Sequence, residues 1–410
     1  MAGSLRLDDR VTITCADCGT MQMIPRLSRL TTATCARCAR LLSRGGTGID
    51  VPLASAIASF ILLPPAVFMP LMDSTIRNLV FEESRLMSSV GVIYQEVWFP
   101  FAFGFLFFAV LFPALRALFQ IVVLGSIRFG WKIWQRGRLF RWSEELRIWS
   151  MTDVVVIAGV VAYFRAEIPA DVELRAGAWC YVAVATCALI TDLAMDRRDV
   201  WNAILPDKRE FPPHHMPSCD FCELVVGWRR SGDPCPRCGE KLDHDIVPQF
   251  APALGAVAAA IPLTLPAYAA AVMVNDQLTG VLEHTVIGTV QLMADRGYWQ
   301  MASILLIAGV VVPLVVLAGM IWLLARVRFP ERNGLVLRTR VYRGMHKLVR
   351  WPMIIPFIAA IAAPIVDFRG IDDIVAGPGA TPLFALIALL ILAVRLFEPR
   401  LMWKTAGVSR

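Results

Sequence analysis

The chain has 410 residues, of which 57% are hydrophobic and only 18% are charged, and its mean hydropathy is +0.60. This composition excludes an ordinary soluble globular protein, in which about a quarter of the residues are charged. The formal net charge of +7 comes from basic blocks beside long uncharged runs, a pattern that favours membrane topology over nucleic-acid binding.

Eight hydrophobic stretches follow one another along the chain as candidate transmembrane helices. Five are long enough to cross a hydrocarbon core of about 30 Å: Val51–Met72, Val97–Leu115, Phe250–Asn275, Gly297–Ala325 and Ile374–Val394. Three are shorter: Val154–Phe164, Ala176–Thr191 and Trp351–Val366. The first of these three is alternatively a buried or half-crossing helix. Because no hydrophobic stretch precedes Val51, we expect the first one to be a retained span and not a signal peptide.

The segments that connect these stretches alternate in charge. The basic ones are 6–44, 128–147, 197–209 and 328–350, and the acidic or nearly neutral ones are 73–96, 167–173, 276–295 and 367–373. Basic connections mark the cytoplasmic side of a membrane. Eight spans with both termini in the cytoplasm satisfy every connection, whereas seven would place a basic block outside. We therefore predict an all-α polytopic membrane protein with eight transmembrane helices.

Several sequence landmarks recur in the same order about 200 residues later. Cys15-x-x-Cys18 recurs as Cys219-x-x-Cys222, and Pro113 recurs as Pro313. Repetition at a fixed offset indicates a duplicated architecture. Because each unit has an even number of spans, both copies face the same way and the repeat is parallel. The predicted domains are a cysteine module at 1–48, a four-helix unit at 49–202, a second module at 203–245 and a second four-helix unit at 246–410.

Eight cysteines form four C-x-x-C pairs, two in each module: Cys15/Cys18 with Cys35/Cys38, and Cys219/Cys222 with Cys235/Cys238. A C-x-x-C turn aims two thiolates at one point, so two such turns supply the closed tetrahedral site that zinc prefers. The alternatives are iron and redox-active or disulfide-bonded cysteines, although the predicted cytoplasmic location disfavours stable disulfides. We expect two cytoplasmic zinc-ribbon modules with short β-strands, each folded around one zinc ion.

Ionisable groups inside a membrane span are costly and therefore mark candidate functional sites. Arg116 follows Pro113 within the second stretch, and Asp153 starts the third with Ser150 one helical turn before it. A buried Arg–Asp pair with a serine donor nearby would neutralise both charges. Alternatively, Arg116 snorkels to the interface and Asp153 caps the third helix. Four further groups near the inner ends of the fourth and eighth spans are interpreted mainly as interfacial: Asp192, Asp196, Arg395 and Glu398.

Prolines lie inside several of the predicted spans, and each removes a helical hydrogen bond. Neighbouring helices or a cavity must satisfy the backbone groups that are freed. The sequence therefore predicts kinked helices around an internal path, with kinks at Pro65, Pro70, Pro113, Pro266 and Pro313.

In their order and duplication, these features resemble the paraquat-inducible protein A family, and the resemblance covers nearly the whole chain. Besides the two cysteine modules, the segments that carry it are Leu63-Pro-Pro-Ala-Val-Phe-Met-Pro70, Arg147-Ile-Trp-Ser-Met-Thr-Asp153, Gly377-Pro378 and Leu401-Met-Trp403. The second of these segments is similar to the W-S-M-L-D sequence of the family.

The second copy departs from the family pattern. Its W-S-M-L-D-like segment is Trp351-Pro-Met-Ile-Ile355, and Val316 stands where some relatives place a basic residue. The candidate polar residues for transport are therefore Arg116, Ser150 and Asp153 of the first copy.

The resemblance implies an inner-membrane protein that works with a periplasm-spanning MCE-domain partner to move phospholipid or a related lipid between the inner and outer membranes. The sequence contains no Walker A loop, haem motif or nucleophile signature, so we expect neither an ATPase nor another enzyme. Two other hypotheses remain open: a membrane-bound redox protein or sensor that uses the cysteines, and a structural anchor for the partner.

Overall fold

A computed structural model of the protein describes residues 10–25, 31–45, 48–76, 79–95, 99–166, 171–205, 219, 221–224, 232–242, 250–277, 280–329, 333–349, 351–353 and 372–407. We call residues 10–45 the first module, 50–204 the first unit, 219–242 the second module and 250–407 the second unit. The described part of the predicted seventh span, Trp351–Val366, is the 3₁₀ turn Trp351–Met353. The rest of that span lies outside the described residues.

The first module consists of two antiparallel hairpins, and the first unit is mainly helical. Their elements are β1 (Arg10–Thr14), β2 (Met21–Pro25), β3 (Thr32–Thr34), β4 (Leu41–Arg44), α1 (Asp50–Phe68), β5 (Pro70–Ile76), β6 (Leu79–Arg85), α2 (Leu86–Gln95), α3 (Phe99–Leu106), a π-helical turn (Phe107–Leu111), α4 (Phe112–Arg128), α5 (Arg136–Trp149), α6 (Thr152–Ala166), β7 (Asp171–Leu174), α7 (Ala176–Ala194) and α8 (Arg197–Ile204).

The described part of the second unit follows the same order. Its elements are α9 (Phe250–Ala269), β8 (Met273–Gln277), β9 (Gly280–His284), α10 (Val286–Asp295), α11 (Trp299–Leu306), a π-helical turn (Ile307–Val311), α12 (Val312–Arg328), α13 (Leu335–Leu348), the 3₁₀ turn, β10 (Asp372–Ala376), α14 (Ala380–Leu396) and α15 (Arg400–Thr405).

Within the described residues, six helical stretches are long and apolar enough to cross a membrane: Asp50–Phe68, Ala102–Arg128, Arg136–Tyr163, Ala176–Ala194, Ala251–Ala269 and Ala302–Arg328. The third stretch joins the charged helix α5 to the apolar helix α6. Helix α14, within the predicted eighth span, has only 17 residues. The count of eight spans therefore stays a prediction.

The units are mostly helical, as predicted, but they are not all-α, because each also contains a three-stranded antiparallel sheet. The strand orders are β6-β5-β7 and β10-β8-β9. Consequently α1 ends at Phe68 and α9 at Ala269, before the predicted ends of those spans, and the first residues of the predicted eighth span belong to β10. Hydropathy does not separate an apolar strand from the end of an apolar helix. Leu71 and Met72 of β5, for example, are buried.

Proline has the same local effect in both units. Pro113 and Pro313 are each the second residue of a helix that follows a π-helical turn. Because proline has no N–H, it cannot donate to the carbonyl four residues earlier. The hydroxyl of Tyr181 donates to that carbonyl of Ala109 at 2.8 Å, and the Tyr268 hydroxyl donates at 2.8 Å to the carbonyl of Gly309. The freed backbone acceptor is thus satisfied by a neighbouring helix in each unit.

The other predicted kink prolines differ in position. Pro65 lies inside α1 and Pro266 inside α9. The prediction for Pro70 was wrong, since this residue begins strand β5 after α1 has ended. Proline fits there because the first residue of a strand need not donate to the ladder.

The first and last long helices of each unit pack closely against one another. A Cβ atom added to Gly177 at the start of α7 would lie 2.5 Å from the Met69 carbonyl oxygen. One added to Gly377, just before α14, would lie 2.2 Å from the carbonyl oxygen of Ala271. Only glycine permits such a close approach of two backbones.

Candidate metal centres and ion-pair cluster

The structure brings the eight predicted cysteine ligands together as two groups of four. Within each group the sulfur atoms all lie within 4.8 Å of one another, and all eight cysteines are buried. In the first module the Cys15 and Cys38 sulfurs are 3.5 Å apart, and those of Cys18 and Cys35 are 3.6 Å apart. The second module repeats these distances, with 3.5 Å for Cys219–Cys238 and 3.6 Å for Cys222–Cys235.

These distances fit a tetrahedral metal ion. Zinc–sulfur bonds of about 2.3 Å imply sulfur–sulfur edges of about 3.8 Å. Hydrogen bonds with the Cys15 and Cys38 thiols lower the pKa of the Cys18 thiol to about 3. The hydrogen bond with the Cys15 thiol raises the pKa of the Cys38 thiol. One thiolate is thus stabilised by protonated neighbours, and a metal ion would take the place of those protons.

Each C-x-x-C pair is held in a tight knuckle. The residue after the second cysteine has positive φ in all four knuckles: Gly19 (71°), Ala39 (55°), Glu223 (58°) and Gly239 (73°). The N–H of that residue donates to the carbonyl of the first cysteine, at 2.9 Å for Gly19 and 3.0 Å for Glu223. Alanine and glutamate adopt this conformation at a cost of about 1 kcal/mol or more, so the surrounding structure must stabilise those two knuckles.

The first module docks on the second unit. Arg343 of α13 donates to the carbonyl of Cys38 at 2.5 Å, and Arg400 of α15 donates to the carbonyl of Ala16 at 2.8 Å. The Arg37 guanidinium lies 4.6 Å from the ring centroid of Trp403. These contacts attach the N-terminal cysteine site to helices near the C-terminus.

The second module docks on the first unit. Arg141 of α5 pairs with Glu240 at 2.7 Å, and Arg198 of α8 pairs with Glu223 at 2.7 Å. Trp201 of α8 contacts Phe221 edge-on, with ring centroids 6.3 Å apart. The arrangement is therefore reciprocal, since Arg141, Arg198 and Trp201 precede Arg343, Arg400 and Trp403 by the repeat offset.

The docking is not wholly crosswise. The Ser43 hydroxyl of the first module donates to the Asp196 carboxylate at 2.9 Å. Asp196 caps helix α8 of the first unit and accepts from the Arg198 N–H at 2.9 Å. The first module thus also contacts the unit that follows it in sequence.

Five charged residues of the first unit form an ion-pair cluster, which consists of Arg116, Glu144, Arg147, Asp192 and Arg197. Arg116 of α4, with 7% of its side chain exposed, pairs with Asp192 of α7. Arg147 lies 3.6 Å from Asp192 and 3.9 Å from Glu144, which Arg197 contacts at 2.8 Å. Among the described residues, Arg116 Nε and Glu144 Oε1 are buried without a hydrogen-bond partner.

The structure separates the sequence-predicted polar set. Ser150 is buried at the end of α5, whereas Asp153 lies in the first turn of α6 with an exposed side chain. The carboxylate paired with Arg116 is that of Asp192, which the sequence reasoning treated as interfacial. Asp192 could have been identified from the sequence, because it is the lone carboxylate in the apolar run of α7. Glu144 could not be singled out, because its neighbours in the sequence are also charged.

Taken together, the long apolar helices and the two buried four-cysteine groups define a multi-pass membrane protein with two sites that could hold metal ions. A family model described as paraquat-inducible protein A matches residues 49–204 and again residues 251–407, so the chain belongs to the paraquat-inducible protein A family. The family resemblance is thereby confirmed.

Curated relatives include proteins of similar length. The chain is 25% identical to "Intermembrane transport protein PqiA" of Escherichia coli (strain K12), over 95% of both chains. It is 23% identical to a "Probable intermembrane transport protein" of Haemophilus influenzae, over 96% of this chain and 95% of the relative. Identity to "Lipophilic envelope-spanning tunnel protein A" of E. coli K12 is 24%, over 63% of this chain and 61% of the relative. No solved structure matches.

Proposed function

We propose that the protein is the inner-membrane subunit of a system that moves phospholipid or a related lipid between the inner and outer membranes. A periplasm-spanning MCE-domain protein would receive lipid from it or deliver lipid to it. The observation that carries this proposal is the family match over both units, together with relatives named for intermembrane transport. Eight spans in two parallel units, with both termini cytoplasmic, accommodate the charge pattern. In this role the protein is a transporter subunit and not an enzyme.

The proposal is tested by crosslinking the chain in cells and purifying it from native membranes. We expect an MCE-domain protein among the crosslinked partners, and phospholipid retained above the level found with an unrelated multi-pass membrane protein of similar size. Background lipid together with the lack of an MCE-domain partner would contradict the proposal.

We propose further that each module holds one structural zinc ion. The supporting observations are the burial of the eight cysteines and sulfur–sulfur distances that fit a tetrahedral ion. A site with four thiolate ligands is coordinatively closed, which is typical of structural zinc. Metal analysis should give two zinc ions per chain, and both should remain bound after treatment with mild oxidants. Iron, or thiols that cycle between oxidised and reduced forms, would instead favour the redox-protein hypothesis.

The ion-pair cluster is our candidate for the polar part of the transport path, with Arg116 from the original prediction joined by Asp192 and Glu144. Its orphaned polar atoms, Arg116 Nε and Glu144 Oε1, support a site that receives water or a polar ligand. Ser150 and Asp153 remain candidates at the adjacent junction of α5 and α6. Asp153→Asn should abolish transport and leave the protein stable if this carboxylate carries protons, and unchanged transport would exclude that role.

A further inference from the structure

Helix α5 of the first unit connects the second module to the ion-pair cluster. It has 14 residues and is therefore about 21 Å long. Near its start, Gly137 and Arg141 contact the second module. Near its end, Glu144 and Arg147 belong to the ion-pair cluster. A single short helix thus contacts a cysteine module at one end and the intramembrane charges at the other.

The contact between α5 and the second module is close. A Cβ atom added to Gly137 would lie 1.6 Å from the carbonyl oxygen of Arg237, the residue before the ligand Cys238. Phe140 of α5 is fully buried and packs edge-on against Trp201 with ring centroids 4.7 Å apart. Arg237 in turn donates through Nε to the carbonyl of Leu205 at 2.9 Å. The second module therefore fixes both α5 and the end of α8.

We propose that the second module positions α5, and thereby Glu144 and Arg147, so that metal occupancy of this module controls the ion-pair cluster of the first unit. Glu144 pairs with Arg197 of α8, and both helices meet the module. Loss of the module would release both sides of that pair. The effect of the metal on lipid movement rests on the function proposed above, whereas its effect on α5 does not.

The metal is central to this coupling because the module is too small to fold around a hydrophobic core alone. Its folding energy comes largely from the metal–thiolate bonds. Without the metal–thiolate bonds, the module no longer holds Glu223, Arg237 and Glu240 against α5 and α8.

The second unit supplies the internal comparison. Arg343 of α13 contacts the first module by donating to the carbonyls of Cys38 and Ala39. Its counterpart Arg141 of α5 contacts the second module by pairing with Glu240.

At the positions of Glu144 and Arg147, however, the second unit has His346 in α13 and Val349 just after that helix. Metal in the first module therefore acts mainly on a helix without Glu144 and Arg147. The contact of the first module near the ion-pair cluster is the hydrogen bond from Ser43 to Asp196 at the start of α8.

The coupling is tested by hydrogen exchange of backbone amides in the full chain, with metal content measured alongside. Cys235→Ser should reduce the metal content from two ions to one and raise exchange at 144–149 at least about tenfold, with α13 unchanged. Its counterpart Cys35→Ser should expose α13 and leave α5 protected. If α5 keeps its protection after the metal of the second module is lost, or if either substitution exposes both helices alike, the proposal is overturned.

A second pair of variants tests the docking without removing a ligand. Gly137→Ala places a methyl group on the Arg237 carbonyl, whereas a Cβ atom at Gly344 of α13 meets nothing within 4 Å. We expect Gly137→Ala to keep both metal ions and still raise exchange at 144–149, and Gly344→Ala to match the unsubstituted protein. Equal exchange in the two variants would refute the positioning role. Lipid retention measured on the same samples tests the transport proposal separately.

Discussion

The two units of the membrane region follow the same order of elements but differ in where they place charge. Both have the π-helical turn, the proline that follows it and a tyrosine that satisfies the freed carbonyl. At the positions of Arg116, Asp192 and Arg197, the second unit has Val316, Val394 and Pro399. Val316 and Val394 are buried, as is Arg116. The same scaffold therefore folds with a charged core in one copy and with an apolar core in the other.

This difference separates what the fold requires from what it tolerates. Burying charged groups costs several kcal/mol of desolvation, which pairing only partly offsets. Since the second unit reaches the same architecture without Arg116 and Asp192, the fold does not require these charges. We propose that the first unit uses these charges for function, and each prediction below tests one part of the comparison between the units.

Removal of the metal ions should have the largest effect, and it should act on both modules equally. A strong chelator removes binding energy of about 10 kcal/mol or more from each structural site. We expect both modules to become sensitive to protease, while the helical circular dichroism signal of the membrane units is retained. Protease resistance that persists in 10–45 and 219–242 after metal analysis shows complete removal would mean that the metal ions are not structural.

Breaking the ion pair in the first unit should have the next largest effect. Asp192→Val, which imports the residue of the second unit, leaves Arg116 buried without its carboxylate and should lower the free energy of unfolding by about 3 kcal/mol. The double variant Arg116→Val with Asp192→Val should recover most of that loss, because it reproduces the apolar pair Val316 and Val394. Both are measured by denaturant unfolding in detergent.

The same double variant distinguishes a transport path from a structural anchor. A stable protein that no longer moves lipid assigns the ion pair to transport. Full lipid movement without both charges would favour the anchor hypothesis. No recovery of stability in the double variant would show that the two units are not interchangeable at these positions.

Much of this architecture could be predicted from the sequence, and the failures have physical causes. The C-x-x-C spacing predicted the two cysteine clusters because four thiolates converge only when two such turns face each other. The sheets were missed because the apolar residues at the starts of β5 and β8, Leu71-Met72 and Met273-Val274, prolong the apolar runs of α1 and α9. Hydropathy alone does not distinguish such residues from the end of a helix. The partner of Arg116 was missed because Asp192 is distant in sequence, and pairing of that kind depends on how helices pack.

Disrupting the close backbone contact between the first and last long helices should destabilise the protein moderately, and by a similar amount in both units. Gly177→Ala places a methyl group 2.5 Å from the carbonyl oxygen of Met69, just after α1, and Gly377→Ala places one 2.2 Å from that of Ala271, just after α9. Each should lower the free energy of unfolding by about 2 kcal/mol, since a close-packed contact must open. Gly255→Ala in α9, where a Cβ atom meets nothing within 4 Å, is the control. A large loss at one position alone would show that only one unit depends on this contact.

The smallest expected effect concerns the tyrosines that satisfy the proline-freed carbonyls. Tyr181→Phe leaves the Ala109 carbonyl without its donor, and Tyr268→Phe does the same for Gly309. An unsatisfied buried acceptor costs about 1–3 kcal/mol. Tyr181 is fully buried but Tyr268 only half-buried, so we expect Tyr181→Phe to cost more, at about 1.5 kcal/mol.

Combining Tyr181→Phe with Pro113→Ala, which restores the missing N–H, should remove most of that cost. If the combined variant is no more stable than Tyr181→Phe alone, the tyrosine does not act by replacing the proline's lost hydrogen bond.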